Sequence, residues 1–180
     1  DPWLAFMHNV HTPAPYGYGW TALSLIPSWL GGGKLLPTLM LFRVFMGLSI
    51  VALYYALQHL ALSLMNRKLS FFELALLFCN PLFLLEVVAN YHNDLWMMAP
   101  AVASISFFIR AATAATKSKD TRVFNRRLLL DLIWGWLLLF ISIAIKLATA
   151  VLLPLAALIS LLVIALVFSN KSLFVKVAQM

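Results

Sequence analysis

The sequence predicts an all-α, polytopic transmembrane helical bundle of about five spans, and three observations predict it. Hydrophobic residues make up 63% of the 180 and charged residues only 11%, with a mean hydropathy of +0.94. A soluble domain is about half apolar and a quarter charged. The excess falls in apolar runs of about 20 residues, the length that crosses a bilayer. The basic residues then gather in the short segments between those runs, which is the pattern that sets topology.

Residues 1–34 stand apart and read as an external loop. They hold Pro2, Pro13, Pro15 and Pro27 with Gly17, Gly19, Gly31, Gly32 and Gly33, a composition of turns rather than of a span. Inside this stretch, Trp20 to Trp29 is apolar but too short to cross. Its terminal tryptophans suit an interfacial segment at headgroup level. Residues 35–180 form the transmembrane region.

Five runs follow, at roughly 35–65, 70–90, 95–115, 128–146 and 149–168. The first contains Arg43. At about 46 Å of helix it is longer than the hydrocarbon core of about 30 Å, which puts Arg43 near the headgroups. Arg67 and Lys68 follow the first run. Lys117, Lys119, Arg122, Arg126 and Arg127 follow the third, and Lys171 and Lys176 follow the fifth. These nine of the 13 basic residues fall on one side. The positive-inside rule makes that side cytoplasmic and puts residues 1–34, the 90–94 turn and the 146–149 turn outside.

Charge and motifs exclude several classes. The formal charge of +7 sits largely in these loops, so it reads as topology and affinity for anionic membrane lipid, with no nucleic-acid partner. A single cysteine, Cys79, excludes an intrachain disulfide and reads as a small packing residue. There is no phosphate-cradling glycine loop and no G-x-S-x-G, so nothing supports a cytoplasmic nucleotide-using enzyme.

Polar residues concentrate at the end of the second run. Glu86, Asn90 and Asp94 are spaced i, i+4, i+8 and would share one face of a continuous helix. Pro81 kinks or starts a helix. A carboxylate at membrane depth faces the bundle interior or water. The group is either a polar stripe leading to an external site or a helix end capped by Asn93 or Asp94. His92 is a ligand, an acid–base group or an exposed turn residue. His8 and His11 do not complete a zinc set with it, so no metal site is assigned, although carboxylates with water suit a hard divalent cation.

Cations and aromatics carry the same two-way readings. Lys146 either snorkels or binds a lipid phosphate as a point charge, and Arg43 and Lys34 share that choice. Arg110 reads as snorkelling at the cytoplasmic end. Glu73 and Asp131 read as structural groups or as partners of Arg67, Lys68, Arg126 or Arg127. Tyr16, Tyr18 and Trp20 either stack on a sugar or anchor at the headgroups.

Asn80-Pro-Leu-x-x-x-Glu86-x-x-x-Asn90-x-His92-Asn93-Asp94 resembles the N-P-L…E…N-x-H-N-D signature of GT-C superfamily glycosyltransferases. It is most similar to that of the polyprenyl-phosphate-mannose-dependent mannosyltransferases of bacterial cell envelopes. Asp1-Pro-Trp3 resembles that family's D-P-Y, and Pro15-Tyr-Gly17-Tyr-Gly-Trp20 its P-Y-G-P-L-W. Lys146 ahead of Pro154 resembles its lysine before a proline in a later span.

The resemblance implies a GT-C-like fold in the cell inner membrane, with its site facing the periplasm or exterior. It implies transfer of a sugar, mannose, from a polyprenyl-phosphate donor to a lipid or glycan acceptor. Glu86, Asn90, His92, Asn93, Asp94, Tyr16 and Trp20 would bind substrate, and Lys146 and Arg43 the donor phosphate. The general base would be a carboxylate upstream of Asp1, so the chain reads as part of a larger enzyme. A transporter or channel using Glu86 and Arg43 remains an alternative, as does a nonenzymatic membrane scaffold. A topology reporter fused after Lys119 is expected to read cytoplasmic, and an external reading there overturns the orientation.

Overall fold

The structure is a computed structural model that describes residues 16–89, 93–117 and 126–177. The described residues are all-helical, with four helices long and apolar enough to cross a membrane and a fifth candidate made of a bent pair. The elements are α1 (Tyr18–Leu30), α2 (Leu35–Met65), α3 (Phe71–Phe78), α4 (Pro81–Phe83), a π-helical turn (Leu84–Ala89), α5 (Asp94–Lys117), α6 (Arg126–Ile145), a 3-10 segment (Leu147–Leu152) and α7 (Leu153–Val177).

Within the stretch whose composition reads as loop, α1 is a 13-residue helix. At about 20 Å it is too short to span. Gly17 and Gly19 explain how it packs. The Gly17 N–H donates to the Ile145 carbonyl at 3.0 Å, satisfying an orphan acceptor at the end of α6. A Cβ on Gly17 would lie 2.1 Å from the Ala144 carbonyl oxygen, and one on Gly19 would lie 2.7 Å from the Ala144 carbonyl carbon. Only glycine lets these two backbones meet.

Helix α2 ends at Asn66, whose φ of 55° places it in the left-handed region that asparagine tolerates at a helix end. The chain then folds back on itself. Gln58 Oε1 accepts from the Leu69 N–H at 2.9 Å, tying the turn to α2. Ser70 and Glu73 form a reciprocal capping box at the start of α3, and Arg67 forks onto the Glu73 carboxylate at 2.6 and 2.9 Å. Glu73 therefore has the partner its sequence neighbourhood suggests.

The second span is broken. α3 stops at Phe78, the Asn80 side chain accepts from Leu82 N–H at 2.9 Å, and Pro81 occupies the first turn of α4. Proline suits that position because its missing N–H is an orphan anyway. The two halves meet at 53°, and the second continues as the π-helical turn carrying Glu86.

α5 and α6 form the centre of the bundle. Buried residues make up 39% of the membrane-length window in each, against 17% in α2 and 11% in α7. Their seam uses small residues: Ala111 is fully buried, and Gly135 presents its backbone to the Phe108 ring. In a membrane, where lipid is as apolar as leucine, close backbone approach supplies the packing that holds helices together. Phe108, Leu128, Leu139, Ala156 and Val163 complete this core with α7. Leucines such as Leu158, Leu161 and Leu162 point outward from α7, as a span in lipid requires.

A paired substitution tests the α1 seat. Gly17→Ala is expected to cost about 1–3 kcal/mol through overpacking. Gly47→Ala, where a Cβ meets nothing within 4 Å, is expected to be neutral or stabilising. Thermal unfolding in detergent reads both, and equal behaviour of the two would contradict the close approach.

Candidate functional site

Asp94 opens α5 and Lys146 follows the last residue of α6, so these neighbouring helices bring their charged ends together. Lys146 Nζ lies 2.5 Å from Asp94 Oδ1 in an ion pair about a third exposed on each side. The lysine stands at a backbone break, with φ of −153° between α6 and the 3-10 segment. A hydroxyl strut fixes it. Ser142 Oγ donates to the Met97 carbonyl at 2.8 Å and pairs with Thr149 Oγ1 at 2.9 Å. Both hydroxyl residues are buried, and in hydrocarbon they need these partners.

Glu86 and Asp94 do not share a helix. The continuous i, i+4, i+8 stripe is replaced by a π-helical turn at 84–89 and a new helix starting at Asp94. The turn shifts the periodicity, because its hydrogen bonds run i to i+5. Glu86 and Asp94 still meet one groove of about 400 Å³, with Asn80, Phe83, Leu95 and Met98 among its other walls. Asn90 and His92 lie outside the described residues, as do Asp1, His8 and His11.

Asn93 is 4% exposed, and both polar atoms of its side chain lack a hydrogen-bond partner among the described residues. The indole N–H of Trp96, one turn on, is in the same condition. These are costly groups to bury unsatisfied. Asn93 therefore does not cap α5 through its side chain; its backbone carbonyl accepts from Trp96 N–H at 3.0 Å instead.

Tyr16 and Trp20 join an aromatic series. Tyr16 meets Trp20 edge-on at 6.2 Å, Trp20 lies 6.5 Å from Phe45, and Phe45 stacks on Trp96 at 4.5 Å. The series links the segment before α1 to the first turn of α5, beside Asp94. Phe45 and Trp96 are members that sequence reasoning missed. Arg43 is exposed on α2, two residues before Phe45, and Lys34 is exposed at the start of the same helix.

α5 separates the 400 Å³ groove from a second one. Trp96, Ala99, Pro100, Ala103 and Phe107 face a groove of about 570 Å³ whose other walls include Leu23, Ala56, Leu138 and Ile145. It extends from the level of Lys146 down to His59. Both grooves are almost wholly apolar, and both start at the polar end that holds Asp94.

A second polar level lies at the far end, where sequence reasoning placed a snorkelling Arg110. Arg110 remains exposed, its Nη2 pairs with Asp131 Oδ1 at 3.1 Å, and its Nη1 donates to His59 Nε2 at 3.0 Å. With that nitrogen accepting, the ring proton is on Nδ1 and donates to Ser106 Oγ at 2.5 Å, which in turn donates to the Ala103 carbonyl at 2.7 Å. Asp131 thus takes a partner from α5, while Arg127 of its own helix acts on it electrostatically. The reason is register. Arg110 is 16 residues after Asp94 and Asp131 is 15 before Lys146, so antiparallel α5 and α6 match both pairs. His59 is likewise 16 residues after Arg43. The two levels are separated by about 22–24 Å of helix. His59 inside an apolar run was the signal available in the sequence, because an ionisable group there calls for an interior partner.

A family model described as Alpha-(1->6)-mannopyranosyltransferase, N-terminal domain, matches residues 6–162. No curated protein and no solved structure matches the chain.

A double-mutant cycle with Asp94→Ala and Lys146→Ala is expected to give a coupling energy of about 1 kcal/mol in unfolding measurements, the scale for a partly exposed pair. Additive effects would mean that the two ends are held together by other contacts.

Proposed function

The chain belongs to the alpha-(1->6)-mannopyranosyltransferase family through its N-terminal domain, and on that premise we propose that it transfers mannose from a polyprenyl-phosphate donor at the Asp94–Lys146 end of the bundle. The acceptor is a lipid or glycan on the external face of the inner membrane. The fold is then the N-terminal part of a GT-C-like transferase. The observation that carries this reading is the paired Lys146 ammonium, set where two apolar grooves begin.

A polyprenyl-phosphate sugar has three parts with different needs. Its isoprenoid chain needs apolar surface open to lipid, which the 570 Å³ groove beside α5 offers. Its phosphate needs a cation at the interface. Lys146 sits next to Ile145, which lines that groove. Its sugar needs hydrogen-bond donors and acceptors, and the buried Asn93 carboxamide supplies both without internal competition among the described residues.

Sugar transfer breaks the bond between the anomeric carbon and the phosphate oxygen, forms one to the acceptor hydroxyl oxygen, and releases the hydroxyl proton to a carboxylate base. Negative charge grows on the departing phosphate. An ammonium already oriented toward that position stabilises the charge without reorganising at the moment of reaction. Asp94 holds the lysine in place before substrate arrives, and the phosphate takes over as its partner. Glu86 serves the acceptor, the role that the resemblance also implies for Asn90 and His92, and Tyr16 and Trp20 close the outer edge through the aromatic series. Arg43 adds positive potential near the same headgroup level.

In the complete enzyme reconstituted with polyprenyl-phosphate mannose, Lys146→Ala is expected to lower transfer about 100-fold, as loss of one preorganised charge-stabilising donor does. Lys146→Arg should recover part of it, with the membrane level of both variants unchanged. Full activity of Lys146→Ala overturns the assignment.

A further inference from the structure

The end of the bundle opposite Lys146 holds a pocket of a different character from the two apolar grooves. It measures about 650 Å³, and polar and apolar atoms contribute nearly equally to its walls. Arg110, Thr113, Arg127, Asp131, Ser63 and Asn66 supply the polar ones. Leu62 and Leu64 at the end of α2 supply apolar surface, and Leu64 is exposed.

We propose that this pocket binds the phosphodiester headgroup of an anionic phospholipid from the cytoplasmic leaflet, held by Arg110 and Arg127. The proposal is independent of mannose transfer. It stands on three features. First, the pocket lies about 22–24 Å of helix from the Asp94–Lys146 level, so the two levels bracket a hydrocarbon core and this one falls at the second headgroup region. Second, the charge balance favours an anion. Among the described residues two guanidinium groups and one carboxylate line it, and His59 accepts a hydrogen bond from Arg110. Asp131 and Arg127 act on each other electrostatically. Third, Arg110 is preorganised. Asp131 holds Nη2, His59 holds Nη1, and the guanidinium carbon sits 5.3 Å from the centre of the Phe107 ring. A planar cation held this way is poised for a phosphate oxygen at its remaining N–H.

The chemistry selects a phosphodiester over a bare hydrophobe. The hydroxyls of Thr113 and Ser63 and the carboxamide of Asn66 suit the glycerol and ester oxygens that follow the phosphate. The leucines at the mouth suit the start of the acyl chains. Basic pockets between helices on the cytoplasmic side are a recurring place for such headgroups.

The test uses the full chain, purified in detergent and titrated with fluorescent phosphatidylglycerol, with phosphatidylcholine and inorganic phosphate as separate arms. Saturable phosphatidylglycerol binding is expected, with no comparable binding of phosphatidylcholine. Arg127→Gln is expected to weaken it at least about tenfold, the scale of one charged hydrogen bond. Arg126→Gln, one residue away and outside the pocket lining, should leave it largely unchanged. Thr113→Val is a second variant that keeps the fold if a charge change does not, and it should weaken binding by a smaller factor. Equal losses from Arg126→Gln and Arg127→Gln would reduce the effect to diffuse charge and overturn the site. Competition by inorganic phosphate at similar concentrations would assign the pocket to a free anion and overturn the lipid proposal. Absence of saturable binding overturns it outright.

Discussion

A bilayer core offers no hydrogen-bond partners, so every polar group carried to that depth must find one inside the protein. Among the described residues, the polar side chains that join α5 to α6 gather at two levels, while Trp136 and Ser160 join α6 to α7 between them. One is the Asp94–Lys146 pair with the Ser142–Met97–Thr149 strut. The other is the Arg110–Asp131–His59–Ser106 cluster. Each level joins α5 to α6, and the second also takes in α2. Their spacing along α5 and α6 is nearly the same, which matches the register of the two antiparallel helices.

Between the two levels, α5 does the dividing. Its residues 95, 98 and 102 face one groove, and 96, 99, 103 and 107 face the other. Pro100 belongs to this arrangement. Without an N–H, it leaves the Trp96 carbonyl short of its intrahelical donor at the depth where Trp96 stacks on Phe45. Such departures from regular helix are tolerated where the backbone is enclosed by protein. The break at Asn80–Pro81, the π-helical turn and the 3-10 segment after Lys146 are further departures, and all three flank the Asp94 end. Irregular backbone thus concentrates toward the Asp94 end of the bundle.

The glycines of the Pro15–Trp20 motif illustrate how a motif carries structure as well as chemistry. Gly17 and Gly19 are where the chain before α1 touches the end of α6, one and two residues from Lys146. The same motif starts the aromatic series that ends on Trp96. A substitution in this segment therefore reaches Lys146 through backbone contact and Asp94 through ring stacking. The charged pair at the Asp94 end is accordingly buttressed from a segment that does not itself cross the membrane.

Composition and period were enough to determine that this chain is helical and membrane-spanning, because a run of 20 apolar residues has few other solutions. The loop charges set an expected sidedness, and the Asn80–Asp94 string singled out the polar end. The same string misled on geometry. A regular helix would align Glu86 with Asp94, and nothing in the residue types announces a π-helical turn. Pairing was beyond reach for a related reason. Arg110 and Asp131 are separated by 21 residues, and Asp94 and Lys146 by 52. Local pattern describes neighbours three and four apart, whereas these partners meet only because α5 and α6 pack antiparallel in one register. Tertiary structure alone decided that Lys146 is held by a carboxylate and that Arg110 meets Asp131 and His59, because a charge goes to the partner that packing brings within reach.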